Sequence, residues 1–406
     1  MKKLSLLFVI SIIIFLSFNF IQTTKESTTN FLASVFFQKS VNTDKLVKKF
    51  SRTSVEKHKS SVKPTKILIV PGHDNINSGA MFGHITEAEI NLSVAKELYN
   101  LLNKEKGIDA FIIRDDNGYN PVFQKYLKNN EKDIIEFRSS RKNIMMDFIK
   151  AGKINSHVNV LHNSAPSRVV RILYGINKFA NEYGFDITIH IHFNDYPGRR
   201  GNTGKYSGFS IYVPEKQYSN AEASFDLAYK IKEQLKLSFA SSDYGKESEI
   251  VEDQDLIAIG SFNTADSVAV LIEYGYIYES YFTDKKIGQT IRNELARQTY
   301  NGVLNYLENE DTNKETYSVL SGYRWENTLS KGDKGMGVLA LQDFLNDFGY
   351  YPNKGTLNSC PINGNFGKCT KSALIKFQKD NNLPATGFLG DMTLEVIGRK
   401  KELLQQ

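Results

Sequence analysis

The feature that most constrains the fold is an alternation of short apolar runs with longer amphipathic segments across residues 66–308. Apolar runs such as KILIVPGH and VAVLIEYGYI predict buried strands. The segments between them carry apolar residues at helical spacing, as in EINLSVAKELYNLLNKEKG, which ends at a glycine. Strands that alternate with helices favour a mostly parallel sheet. We therefore predict an α/β fold in which helices cover both faces of the sheet.

A second, smaller unit is predicted at residues 327–400, after a polar linker at 309–326. Two helical stretches in this unit each place a large apolar residue beside a glutamine, and glycines punctuate the turns. The pattern predicts a small all-α domain, of a size that benefits from a disulfide.

The N-terminus indicates the compartment in which the chain works. Two lysines precede an apolar run that ends near Ile21, which predicts a secretory signal peptide at residues 1–22. No small-residue cleavage site follows, and the run approaches the length of a membrane-spanning helix, so an N-terminal anchor in the cytoplasmic membrane is the alternative. Both place the rest of the chain outside the cytoplasm, in the cell envelope or beyond. The polar residues 23–65 are predicted to be a spacer.

Charge and cysteine content narrow the function further. The formal net charge of +6 is mild for 406 residues. It does not indicate nucleic-acid binding, but it suits a partner rich in carboxylates or phosphates, or simply a soluble surface. Cys360 and Cys369 are the only cysteines. In an exported chain such a closely spaced pair predicts a local disulfide, and two unpaired thiols are the alternative.

Unusual polar residues stand where open α/β sheets build their sites, at the carboxyl ends of predicted strands. Glu273 follows a buried apolar run, where a carboxylate is costly unless it is paired or functional. The other candidates follow the first strand, begin the next helix or lie in the strand ITIHIHF: His73, Glu87, Glu89, His190 and His192. Two histidines and a carboxylate are a ligand set of catalytic zinc, and a further carboxylate can take a proton from water. Taken singly, each residue also fits a structural role in a turn or at a helix N-terminus.

Four short motifs occur along the chain in the order Gly72-His73, EAEINL, IHFN and EYGY. In this order they resemble the motifs of the zinc-dependent N-acetylmuramoyl-L-alanine amidases. The resemblance implies a phosphorylase/hydrolase-like α/β fold for residues 66–308. The chain departs from the family at Val70, where an aspartate is usual, and at Asp74, where a glycine is usual.

The resemblance also implies the roles of the site residues. It assigns a zinc ion to His73, Glu87 and His192, and it makes Glu273 the catalytic carboxylate. In that family the glutamate ligand lies five residues before the leucine of the motif, which selects Glu87 over Glu89.

His190 and His192 point to the same face of a regular strand, so their spacing alone would let both reach one metal. Because the resemblance gives the ligand position to His192, we predict that His190 packs beneath the site or orients a ligand through a hydrogen bond. Asn194 is predicted to orient the site strand or to meet substrate.

The smaller unit resembles peptidoglycan-binding domains of the three-helix type, through LSKGDKGMGVLALQDFL, NGNFGKCTKSALIKFQ and LPATGFLGDMT. Together the two resemblances imply hydrolysis of the amide between N-acetylmuramic acid and L-alanine in peptidoglycan, by water that zinc activates. A non-catalytic wall-binding protein and a zinc peptidase that cuts the stem peptide are the alternatives. A long segment around residues 115–170, which includes His157 and His162, is predicted to be an inserted lid or cleft wall.

Overall fold

The computed structural model describes most of the chain, namely residues 41–55, 63–156, 166–196, 199, 203–260, 263–309 and 318–403. The predicted signal peptide or anchor at residues 1–22 lies outside these ranges, as do His157 and His162. Among the described residues, no helix has both the length and the apolar character needed to cross a membrane.

Ten strands are found in the described ranges. In chain order they are β1 (Thr65–Pro71), β2 (Met81–Phe82), β3 (Ile85–Thr86), β4 (Ile108–Ile112), β5 (Arg114–Asp115), β6 (Gly118–Tyr119), β7 (Ile187–Asn194), β8 (Ser210–Pro214), β9 (Ile250–Asp253) and β10 (Val268–Tyr276). Six of them form the main sheet in the order β4-β1-β7-β10-β8-β9. Only the β8–β10 pairing is antiparallel in this sheet, so the predicted mostly parallel architecture is confirmed.

Helices pack on both faces of the sheet. In chain order the described helices are α1 (Thr43–Val55), α2 (Glu87–Leu102), α3 (Pro121–Asn129), α4 (Glu131–Lys150), α5 (Ser167–Tyr183), α6 (Ala221–Leu235), α7 (Ser280–Thr283), α8 (Gly288–Glu308), α9 (Met336–Asp347), α10 (Lys368–Asp380) and α11 (Asp391–Leu403). Helices α1, α2, α6 and α8 cover one face, and α3 to α5 pack on the other.

The side chains of β7 alternate between the two faces of the sheet. Ile187, Ile189, Ile191 and Phe193 are buried in the core beneath α2, α6 and α8. The residues between them, His190 among them, therefore face the opposite side of the sheet, since side chains alternate along a strand.

Helix α1 corrects the predicted spacer at residues 23–65. Within that range Leu46 and Phe50 are buried in the core of the larger unit, and Thr43 Oγ1 donates to Asp226 Oδ2 at 2.7 Å. The apolar residues lie four apart and thus share one face of a helix, which the lysine-rich composition concealed. Residues 43–55 therefore belong to the folded unit.

The two units are in contact, and residues of the predicted linker at 309–326 take part in that contact. Leu320 is buried in the core, and the Val319 backbone N–H donates to Glu294 Oε2 of α8 at 2.9 Å. Further along, Asn358 Nδ2 donates to the carbonyl oxygen of Ser241 at 3.0 Å. The smaller unit is therefore docked against the larger one.

The smaller unit contains three helices, α9 to α11, as the resemblance implies. The buried Gln342 satisfies its polar atoms internally: its Nε2 donates to Thr370 Oγ1 at 2.9 Å, and its Oε1 accepts from the Gly364 N–H at 2.8 Å. Such pairing removes the cost of burying an amide. Cys360 and Cys369 are joined by a disulfide that ties the start of α10 to the preceding loop.

Candidate metal centre

Three predicted residues converge at the carboxyl ends of β1 and β7. One ligand atom each from His73, Glu87 and His192 lies within 4.8 Å of the others. His73 Nε2 is 3.0 Å from Glu87 Oε2, and His192 Nδ1 is 3.0 Å from Glu87 Oε1. Two imidazole nitrogens and a carboxylate oxygen from separate elements form a donor set that suits catalytic zinc.

The backbone at His73 adopts an unusual conformation. Its φ of 63° lies in the left-handed region, which a residue with a side chain seldom occupies. The next residue stabilises the turn, because Asp74 Oδ1 accepts the backbone N–H groups of Ile76 and Asn77 at 2.9 and 2.8 Å. Arg168 donates to Asp74 Oδ2 at 2.8 Å. Asp74, a departure from the family pattern, thus fixes the loop that carries the histidine.

These contacts also set the charge of Asp74. Burial would raise its pKa, but the hydrogen bonds from Arg168 and from the backbone N–H groups lower the pKa overall. The carboxylate therefore stays ionised beside the metal centre.

The start of α2 explains why Glu87 faces the site and Glu89 does not. Thr86 is the N-cap residue, and Glu89 completes a capping box by accepting the Thr86 backbone N–H at 3.0 Å. Glu87 instead accepts the Ala80 N–H through Oε2 at 3.0 Å. Burial would raise the pKa of Glu87, but the neighbouring His192 and His73 hold it well below its usual range.

Gly72 lies against the ring of His192. A Cβ placed on Gly72 would be 2.2 Å from His192 Cε1, so only glycine allows this approach. The carbonyl oxygen of Gly72 accepts from Arg114 at 2.9 Å and from Asn91 Nδ2 at 3.1 Å. Arg114 is buried and also donates to the carbonyl oxygen of Ala88 at 2.8 Å. It therefore links the His73 loop to the start of α2.

Sequence reasoning did not identify Arg114 or Asn91. The available signal was an arginine directly after the apolar run DAFII, where a buried charge requires several acceptors.

Glu273 lies beside the converging ligands on the adjacent strand. Its Cα pairs in register with that of His192 in β7. Its Oε2 is buried and has no hydrogen-bond partner among the described residues. Burial and the nearby carboxylates of Glu87 and Glu247 raise the pKa of Glu273 well above its usual range.

His190 is not among the converging ligand residues. It is 1% exposed, pairs in register with Val70 and Leu271, and its Nε2 has no hydrogen-bond partner in the described part of the chain. Burial, with a smaller effect from His192, lowers the pKa of His190 to about 3. These surroundings favour a neutral His190 that packs in the core over a His190 that orients a metal ligand through a hydrogen bond from Nε2.

Asn194 contacts a carboxylate that the sequence reasoning missed. Its Nδ2 donates to Glu247 Oε1 at 2.9 Å. Glu247 also accepts hydrogen bonds from Tyr212 at 3.1 Å and from Tyr276 at 3.1 Å. Asn194 therefore anchors the end of β7 to the loop before β9.

Comparison with known proteins agrees with both resemblances. Residues 67–305, more than half of the chain, match the family model of N-acetylmuramoyl-L-alanine amidases. Residues 334–397 match the family model of peptidoglycan binding domains.

One curated relative is the zinc D-Ala-D-Ala carboxypeptidase of Streptomyces albus G, which is 39% identical over 75 residues. The match covers 18% of this chain and 28% of that relative, so the chain spans under a third of the relative's length.

Similar solved structures include the CwlD amidase of Clostridioides difficile in complex with the GerS lipoprotein. It has a TM-score of 0.40 and 18% identity, and the match covers 61% of this chain and 100% of that one. The amidase Ami1 of Mycobacterium smegmatis has a TM-score of 0.39 and 13% identity, with 62% of this chain and 100% of that one covered.

Proposed function

The chain belongs to the family of N-acetylmuramoyl-L-alanine amidases, and we propose that it hydrolyses the amide between N-acetylmuramic acid and L-alanine in peptidoglycan, with zinc as cofactor. The observation that carries the proposal is the convergence of His73, Glu87 and His192, with Glu273 on the adjacent strand. A zinc ion held by these three side chains supplies Lewis acidity and a positive charge that favours the ionised form of a nearby carboxyl group.

Glu273 has the role of general base and then general acid. Its carboxylate accepts the proton of the attacking water and passes it to the alanine nitrogen as the amide bond breaks. The buried Oε2 suits this role, because no described residue engages it and it is shielded from bulk water.

The hydrogen bonds around the ligands preorganise the site. Arg114 and Asn91 hold the carbonyl oxygen of Gly72, and Asp74 holds the loop that follows His73. These contacts hold the loop that carries His73, which reduces the reorganisation that metal binding requires.

Action on peptidoglycan implies that the chain works outside the cytoplasm. The apolar N-terminal run, as a signal peptide or a membrane anchor, would deliver it there. The docked smaller unit would hold the catalytic unit on the wall.

Product analysis tests the proposed function. Purified peptidoglycan is digested with and without a chelator, zinc is restored to one portion, and the products are identified by mass. The proposal predicts whole stem peptides with free L-alanine N-termini, and loss of these products on chelation. Products cut within the stem peptide would indicate a zinc peptidase. A protein that binds no zinc and gives no products even after zinc is restored would indicate a wall-binding protein.

A further inference from the structure

The smaller unit carries a groove of about 460 Å³ on its surface. Five lysines line it, and we call it the lysine groove: Lys331, Lys368, Lys371, Lys376 and Lys379. It lies within the unit that matches peptidoglycan binding domains, apart from Lys331, which lies three residues before that match begins.

Helix α10 supplies four of the five lysines. Residues 368, 371, 376 and 379 fall on one side of the helix, because each residue advances by about 100° around its axis. From the first to the last of them the helix advances about 16 Å. The Gly332 backbone N–H donates to the carbonyl oxygen of Phe366 at 3.0 Å, which places the loop of Lys331 beside the start of α10. The charges therefore form a row rather than a point.

This row lacks compensating charge. No carboxylate lines the groove. Within the described part of the chain only Lys376 of the five forms an ion pair, with Asp380 at 3.0 Å. Like charges that are gathered without counterions repel each other, and an incoming anion relieves that repulsion. The groove is therefore suited to an acidic ligand.

The floor of the groove is partly apolar and is fixed in place. Half-buried Ile375 lies among the lysines, and Asn353 Nδ2 donates to Ser372 Oγ at 2.9 Å. Gly387 packs closely against Lys371 and Ile375, since a Cβ placed on it would lie 2.8 Å from Lys371 Cγ and 3.0 Å from Ile375 Cγ1. An apolar floor with a cationic rim fits a short acidic peptide.

We propose that the lysine groove binds the peptidoglycan stem peptide through its free carboxylates. The inference rests on the proposed function, which makes peptidoglycan the substrate. An extended stem peptide of about four or five residues spans roughly 13–17 Å, which matches the length of the lysine row. Lysine suits carboxylates at varied positions, because its charge is compact and its stem is flexible.

The test measures binding of the full chain to insoluble peptidoglycan that has been stripped of phosphate polymers. A Glu273→Ala background in every sample prevents digestion. The triple variant Lys368→Gln, Lys371→Gln, Lys379→Gln is expected to bind about tenfold more weakly at low salt, from three exposed charge contacts. The difference should shrink at about 0.5 M salt, where the Debye length is short.

Two controls separate this effect from general charge and from misfolding. The variant Lys48→Gln, Lys104→Gln, Lys106→Gln removes the same charge from exposed positions on α1 and in the loop after α2, and it should bind like the parent. The Tm of each variant, measured by thermal denaturation, should equal that of the parent.

Chemical amidation of the wall carboxylates identifies the ligand. It should reduce binding of the parent to the level of the groove variant. Equal binding to native and amidated walls would overturn the proposal, as would a groove variant that binds like the parent. Binding that requires restored phosphate polymers would also overturn it and would identify a different anion. Because binding is measured in a catalytically inactive background, these outcomes stand apart from the product analysis that tests hydrolysis.

Discussion

Replacement of Gly72 by alanine tests the geometry of the metal centre with a single added methyl group. The new Cβ would lie 2.2 Å from His192 Cε1, 2.4 Å from Nε2 and 2.6 Å from Nδ1. Ordinary van der Waals contact begins at 3.4 Å, so the ring of His192 or the Gly72 loop must move by about 1.2 Å. Because Gly72 does not adopt a left-handed φ, the substitution adds no backbone strain and the fold should persist.

The size of the effect follows from that displacement. A shift of about 1 Å in a positioned group can reduce turnover by roughly 100-fold. Disturbing the contacts that orient a metal ligand weakens metal affinity by about 10- to 100-fold. The Gly72→Ala variant should therefore show both losses while its Tm in the metal-free form stays close to the parent value.

The assay combines zinc affinity, from competition with a chromogenic chelator, with turnover of a soluble muramoyl peptide. Gly245→Ala is the matched control, because no atom lies within 4 Å of its added Cβ and its φ is not left-handed. The control should behave like the parent. A Gly72→Ala variant with the parent's zinc affinity and turnover would refute the arrangement of Gly72 and His192.

Three other predictions follow from single sites. Glu273→Ala should lower kcat by at least about 100-fold with zinc content unchanged, because Glu273 moves a proton and is not one of the converging ligands. Metal analysis and a turnover assay check this prediction, and an active variant would contradict the role of Glu273. Burial raises the pKa of Glu279 from 4.5 to about 7, so the folded chain binds that proton more tightly than the unfolded chain and stability should fall as pH rises across this interval. In thermal denaturation, the Tm of the Glu279→Gln variant should therefore fall less steeply than that of the parent between about pH 5 and 8. An unchanged dependence of Tm on pH would show that Glu279 is not the cause. Serine at both Cys360 and Cys369, nine residues apart, should lower the free energy of unfolding by about 2–3 kcal/mol in denaturant titrations, and an unchanged midpoint would contradict the expected loop-closure effect.

The local pattern of the chain predicted the parts of the fold that depend on periodicity. The alternation in ITIHIHF predicted a strand with one buried apolar face, and the apolar residues of β7 do lie in the core. The capping-box spacing from Thr86 to Glu89 explains why Glu87 is free to face His73, but the choice between the two glutamates came from the family resemblance rather than from the spacing.

Contacts between distant elements were not predictable in this way. Arg114 reaches the carbonyl oxygen of Gly72, 42 positions away in the chain, and Asn194 reaches Glu247, 53 positions away. The spacing of residues within a single helix or strand does not predict contacts between residues so far apart in the chain. The same holds for Leu46, whose burial depends on a core that is completed by strands and helices far along the chain.

The central claim is hydrolysis of one amide, and isotope labelling tests it most directly. A soluble muramoyl peptide is digested in ¹⁸O-water by the zinc-loaded chain, and the label is located by mass. The account predicts ¹⁸O in the lactyl carboxylate of the released muramic acid and none in the freed L-alanine peptide. Label in a carboxylate of the stem peptide, with the lactyl amide intact, would contradict it.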